Sequence, residues 1–346
     1  MKILYGIQGT GNGHIARSRM MAKYLAESDV DVTYLFSGRP AERYFEMAVF
    51  GDYQCRRGLT FATQAGKINY LQTTFGNNLW QFAREVRELP VDDYDLIITD
   101  FEPVTAWAGK LARKPVLGIG HQYAFGKNTP LAGESWLAKK IMRHFAPADY
   151  SLGLHWAPYN DNVLPPIIDT SLSRQKCENF CLVYLPFEDQ RQVTALLNQY
   201  PDYQFIQYSP ELTDQQQGNV LCQQAAHQRF KEHLARASGV ICSSGFELVS
   251  ECLHLGLPIL TKPTQGQMEQ HSNALALQQL KKATVMQSLD NASIRRWLAQ
   301  LSVNDKRVAS AIPDVAPHVV NWILAGEWQS YRALTELLWK QNKPSE

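Results

Sequence analysis

Two stretches of this sequence carry side chains and backbone groups suited to chemistry. In the first, the apolar strand KILYGI (residues 2–7) runs into the turn QGTGNGH and then a helix through ARSRMMAKYLAE. His14 thus stands at the mouth of a sheet, just where a helix begins. With an ordinary pKa of about 6.5 it can take a proton at neutral pH, or it can serve only as a turn residue. Asp100 ends another apolar strand, YDLIITD, at its carboxyl end. An acid there can hold the second imidazole nitrogen and favour the charged ring, as the orienting member of a triad does. Glu102 competes for that role.

The second stretch runs from Ser243 to Asn273. VICSS is a short strand, and Gly245 opens a helix whose apolar positions Phe246, Leu248, Val249, Cys252, Leu253 and Leu255 recur at near-helical spacing before Gly256 and Pro258. A small-residue turn feeding a helix N-terminus offers free amides and the positive end of the helix dipole, which suit a phosphate or pyrophosphate. Ser243, Ser244, Gly245 and Phe246 form that anchor. Glu251, about two turns on, reaches the ribose that follows a pyrophosphate; alternatively, Glu247 and Glu251 lie at i, i+4 on a solvent-facing helix. Past the strand PILTKP, Glu269 and Gln270 sit where open α/β sheets bind ligands, and could bond sugar hydroxyls or cap the next helix, QHSNALALQQL.

The glycine turn invites comparison with the dinucleotide fingerprint G-x-G-x-x-G. Gly9 and Gly11 fit, but His14 stands where the third glycine belongs, and the second strand VDVTYLF ends in Ser37-Gly38-Arg39 without the ribose-binding acid. A nicotinamide cofactor is therefore not expected.

The run GFELVSECLHLGLPILTKPTQGQMEQHSNA instead resembles the donor-binding motif of GT-B glycosyltransferases. It is most similar to that of the bacterial family that adds N-acetylglucosamine to a lipid-linked peptidoglycan precursor. The turn GTGNGHI resembles the first-strand turn of the same families, so that Gly9, Gly11 and Gly13 form the glycine loop. The resemblance implies that Glu251 holds a uridine ribose, that the turn at Gly245 receives the pyrophosphate, and that Glu269 and Gln270 contact the donor sugar. It implies His14 as the base that deprotonates the acceptor hydroxyl, paired with Asp100. Glu102 and His121, the latter ending the strand PVLGIG, are candidates for acceptor contact. The resemblance implies no metal and no cofactor.

These residues need elements to position them, and 346 residues suffice for two domains. With 45% hydrophobic and 19% charged residues the chain reads as globular, and a net charge of +1 makes no case for nucleic acid. The six scattered cysteines read as free thiols. MKILYGIQG is a buried strand and not a signal peptide, and no run is long enough to span a membrane. Strand-helix alternation stops near residues 157–179, rich in proline, and then restarts.

The fold expected is α/β, two Rossmann-like domains facing a cleft: residues 1–160 for the acceptor, 161–320 for the nucleotide-sugar donor, and 321–346 helical and packing back on the first domain. The helix read over residues 69–89 is ordinary core or an aromatic acceptor wall. The apolar and basic run ESWLAKKIMRHF (134–145) suits a surface helix, or one seated on the inner membrane surface. The function expected is a cytoplasmic or peripherally membrane-bound, inverting, metal-independent transferase moving a sugar from a UDP-sugar to a hydroxyl acceptor, lipid-linked or of the cell envelope. A sugar-nucleotide epimerase and a non-catalytic sugar-nucleotide sensor are the alternatives.

Overall fold

The computed structural model describes residues 1–44, 46–60, 63, 64, 67, 68, 78–133, 140, 142–224, 226–301, 309 and 312–342. Most of the run 134–145, and the first part of the helix read over 69–89, lie outside these residues.

The first half builds β1 (Lys2–Gln8), α1 (Asn12–Ala26), β2 (Asp31–Ser37), β3 (Tyr53–Arg56), a hairpin of β4 (Thr63–Gln64) and β5 (Lys67–Ile68), α2 (Leu79–Glu88), β6 (Leu96–Asp100), α3 (Pro103–Ala112), β7 (Val116–Gly120), β8 (Tyr150–Leu154) and β9 (Val163–Leu164). Seven of these strands form one sheet in the order β3-β2-β1-β6-β7-β8-β9. All its neighbours run parallel. A parallel sheet is covered on both faces, which is why KILYGI and LIIT are continuously apolar. Leu4, Leu35 and Ile97 pack with Val86 and Val104 on one face. Ile3, Tyr5, Ile7 and Ile98 pack with Ile15, Met21 and Leu25 of α1 on the other.

The second half repeats the plan with β10 (Phe180–Tyr184), α4 (Gln190–Leu197), β11 (Gln204–Ser209), β12 (Gln215–Gln217), β13 (Val220–Gln224), α5 (His227–Arg236), β14 (Gly239–Ser243), α6 (Phe246–His254), β15 (Ile259–Lys262), α7 (Met268–Gln279), β16 (Thr284–Val285) and α8 (Asn291–Leu301). The sheet order is β12-β13-β11-β10-β14-β15-β16, with only the β12–β13 pair antiparallel. Val183, Phe205, Ile241 and Leu260 bury one face with Val193, Leu197, Ile294 and Trp297.

Two further helices, α9 (Val315–Ala325) and α10 (Arg332–Gln341), follow. Val315, Ala316, Val319 and Ile323 join the core that contains Met21 and Leu25. Trp339 Nε1 donates to the Val163 carbonyl at 2.7 Å, so the last helix is tied to an edge strand of the first sheet.

In each sheet the strand order reverses direction beside its first strand, between β1 and β6 and between β10 and β14. Ligands of open α/β sheets bind at such switch points, beyond the carboxyl ends of the strands. The register pairs Ile7 with Asp100 in one sheet and Tyr184 with Cys242 in the other. His14, Asp100 and the turn after Ser243 therefore sit at the two crevices.

Candidate active site

A cleft with a volume of about 1230 Å³ separates the two switch points, and its lining includes His14 and Arg17 from α1, Gly245 and Glu247 around the start of α6, and Glu269 of α7. Both α1 and α6 open onto it at their N-termini. Their N-cap residues are Gly11 and Gly245, and neither makes a side-chain cap. First-turn amides left without a cap are the donors that suit a phosphate. The two helix starts lie close together: a Cβ on Gly13 would stand 3.2 Å from Glu247 Cβ. At Gly9 a Cβ would meet the Tyr44 hydroxyl at 2.2 Å and the Ser37 carbonyl at 2.8 Å. The turn after β1 has no room for a side chain there.

His14 Nδ1 lies 2.8 Å from Asp100 Oδ1, and the His14 side chain keeps 14% exposure while Asp100 has none. Burial pushes the Asp100 carboxyl up, but the charges of Arg17 and His14, with their hydrogen bonds, outweigh it and hold it below its ordinary range. An ionised carboxylate only accepts, so Nδ1 donates to Asp100, and in the neutral ring the lone pair then lies on Nε2. That is the tautomer a general base needs. Arg17 clamps the same carboxylate, with Nε 2.9 Å from Oδ2 and Nη2 2.6 Å from Oδ1. Its third nitrogen, Nη1, donates to Glu247 Oε2 at 3.0 Å. Sequence reasoning missed both Arg17 and Glu247. Arg17 had a signal, since it lies three residues after His14 and so on the same helix face.

The remaining sequence candidates are distributed as follows. Ser244 spends its amide on the Lys262 carbonyl at 3.1 Å and its hydroxyl on Thr261 at 2.9 Å. Ser243, Gly245 and Phe246 line the cleft. Phe246 also stacks on His121, with ring centroids 4.0 Å apart and planes at 7°. His121 is buried, with Nδ1 2.8 Å from the Leu154 carbonyl and Nε2 2.7 Å from Asn273 Oδ1. Burial lowers its pKa. Both nitrogens are thus taken by contacts within and between the domains. Glu269 Oε2 accepts from Gln122 Nε2 at 2.9 Å across the cleft. Gln270 turns its amide oxygen to the Thr264 amide at 2.9 Å.

Two readings of carboxylates need correction. Glu102 does not pair with the histidine. It is fully buried and caps α3, accepting from the Val104 amide at 2.8 Å, the Thr105 amide at 2.7 Å and the Ser37 hydroxyl at 2.6 Å. Its oxygens are consumed by donors that fix the helix start, and burial raises its pKa. The solvent-facing alternative for α6 also fails, since Glu247 and Glu251 are 8% and 5% exposed. Glu251 is ion-paired with Lys231 and faces a separate cavity of about 130 Å³, lined by Tyr184, Tyr208 and Phe230 of the second half and by Arg19 of α1.

The comparisons agree with this architecture. A structure of the glycotransferase of kitacinnamycin has 14% identity and a TM-score of 0.60, covering 99% of both chains. MurG from Acinetobacter baumannii has 16% identity and a TM-score of 0.56 over 94% of this chain and 99% of its own. Phytolacca americana UGT2, complexed with UDP-2fluoro-glucose and pterostilbene, has 14% identity and a TM-score of 0.57 over 95% of this chain and 100% of its own. At these identities the likeness establishes the GT-B fold. A search of curated proteins finds no match. The sequence model of glycosyl transferase family 1 matches residues 1–302, and the chain belongs to that family, a glycosyltransferase of GT-B fold.

Proposed function

We propose that this glycosyltransferase moves a sugar from a UDP-sugar to an acceptor hydroxyl by a single inverting displacement. The observation that carries the reading is the His14–Asp100 pair, 2.8 Å apart, in the same cleft as the uncapped start of α6. His14 Nε2 takes the hydroxyl proton as the acceptor oxygen attacks the anomeric carbon. The bond from that carbon to the diphosphate oxygen breaks with its electron pair, and the nucleoside diphosphate leaves. Negative charge grows on the diphosphate, and the Gly245 and Phe246 amides and the α6 dipole stabilise it without a metal. Asp100 supports the imidazolium formed at His14.

Glu251 is the ribose contact in this reading, in the aromatic cavity with Tyr184, Tyr208 and Phe230. Glu269 and Gln270 bond the donor sugar. The acceptor sits against the first domain and is lipid-linked or part of the cell envelope, a choice supported by the family resemblance and by the apolar and basic run 134–145. Among the described residues no helix is long and apolar enough to cross a membrane, so membrane contact in this reading is peripheral.

A thermal-shift panel of UDP, GDP and ADP tests the donor. A ligand at about 100 times its Kd stabilises by about 2.7 kcal/mol. A shift with UDP alone supports the reading, and a shift with GDP or ADP alone rejects the uridine assignment. Product stereochemistry, read by NMR from a donor of known anomeric configuration, then tests inversion; retention would overturn the single-displacement mechanism.

A further inference from the structure

The Arg17 side chain has only one nitrogen that is not fixed on Asp100. Nε and Nη2 clamp that carboxylate, and Nη1 reaches across the domain boundary to Glu247 Oε2 at 3.0 Å. The guanidinium is 3% exposed. Glu247 lies in the first turn of α6, beside the amides that would receive a diphosphate. Its other oxygen, Oε1, is buried and has no hydrogen-bond partner. A buried, half-satisfied carboxylate at a helix start that opens onto a ligand cleft is costly to keep. A guanidinium fork held rigid on one carboxylate is well suited to a phosphate on its free edge.

We propose that Arg17 is a diphosphate-binding residue whose Nη1 exchanges between Glu247 and the diphosphate of the donor, with Glu247 as a competing carboxylate. This rests on the donor-site reading above and adds a contact from the first domain to a group otherwise held by the second. Arg17 would then stabilise the leaving diphosphate only while the two domains are together. It would also tie that contact to the base pair, because the same guanidinium holds Asp100.

The competition is pH-dependent. The groups facing Glu247 and its surroundings are Arg17, Arg19 and His14 from α1, Asp100 from β6, Lys231 and His227 from α5, and Glu251 from its own helix. Burial, opposed by Arg17 and reinforced by Glu251, pushes the Glu247 carboxyl up to about 8. Below that pH Glu247 is neutral and yields Arg17 readily; above it the carboxylate holds Arg17 and repels the diphosphate. A terminal phosphate, with a pKa of about 6, is already ionised throughout this window.

Calorimetric titration of wild type, Glu247→Gln and Arg17→Lys with UDP and with UMP, at pH 7 and pH 9, tests this. Glu247→Gln should bind UDP about 10-fold more tightly than wild type at pH 9 and within about 3-fold at pH 7, the difference between competing with an ionised and a neutral group. Arg17→Lys should lose about 10- to 100-fold in UDP affinity with a much smaller loss for UMP, which lacks the second phosphate. Equal UDP affinities for wild type and Glu247→Gln at pH 9 would overturn the proposal and leave the pair as a contact between domains. Should Arg17→Lys fail to fold, the Glu247→Gln comparison decides alone. No binding of UDP, GDP or ADP by wild type would instead reject the donor-site reading, and this inference with it.

Discussion

At the scale of single residues, the proposed chemistry rests on His14 and its partner. His14→Ala should lower turnover by about 10²- to 10⁴-fold while UDP affinity stays nearly unchanged, because in the proposed mechanism the imidazole acts on the acceptor proton. Unaltered turnover would remove His14 from the mechanism. Asp100→Asn should also lower turnover, and it carries a second signature in stability. A folded carboxyl held below its ordinary range contributes stability that is present above the unfolded pKa of about 3.9 and is lost as pH falls through the folded value. The gap in Tm between wild type and Asp100→Asn should therefore narrow as pH drops below about 4; a gap independent of pH would mean that Asp100 is not the ionised partner of Arg17 and His14. His14 was legible because it follows the glycine turn after the apolar run of β1, and Asp100 because it ends the apolar run of β6 at its carboxyl side. Glu247 was not legible in this way. Nothing near it in sequence says that α1 packs against the first turn of α6 and removes it from water.

At the scale of elements, the sequence located the strands well because parallel strands buried on both faces read as unbroken apolar runs. It located α6 through its glycine at each end. The rivalry it left open at α3, between Asp100 and Glu102, has a local cause. The pattern Asp100-Phe-Glu102-Pro103 offers two acids, and only the backbone decides which one faces the cleft. Phe101 adopts a positive φ of 52°, which turns the chain so that Glu102 becomes the N-cap and Asp100 faces the histidine. Pro103 at the first helical position fits that start. Removing a buried cap with several donors should cost about 3 kcal/mol. Glu102→Ala should thus lower Tm clearly, while the KM for the acceptor remains close to that of wild type at a temperature where the variant is folded. A large rise in acceptor KM would return Glu102 to the list of substrate contacts.

At the scale of the whole molecule, the two halves are held together by side chains that no periodicity could reveal. Arg17 pairs with Glu247, His121 with Asn273, Gln122 with Glu269, and Trp156 Nε1 donates to Ser250 Oγ at 2.8 Å. These contacts hold α1 over the cavity behind Glu251, whose volume of about 130 Å³ is well below the roughly 300 Å³ at which ligand pockets begin. If Glu251 is the ribose contact proposed above, a nucleoside of ordinary size reaches it when α1 withdraws from this cavity. On that reading donor loading parts the halves, and closing them brings Arg17, His14 and the start of α6 together again around the cleft. Ser250→Ala tests this order of events. It leaves the Trp156 N–H buried and unpaired in the closed form and free to meet water in the open one, shifting the balance toward opening by about 1 to 3 kcal/mol. Stopped-flow measurement should find UDP associating at least about 5-fold faster with Ser250→Ala than with wild type, since the loading-competent fraction rises by that factor for each 1 kcal/mol. An unchanged association rate would mean that the nucleoside enters without parting the domains, and that α1 is a fixed wall of the pocket.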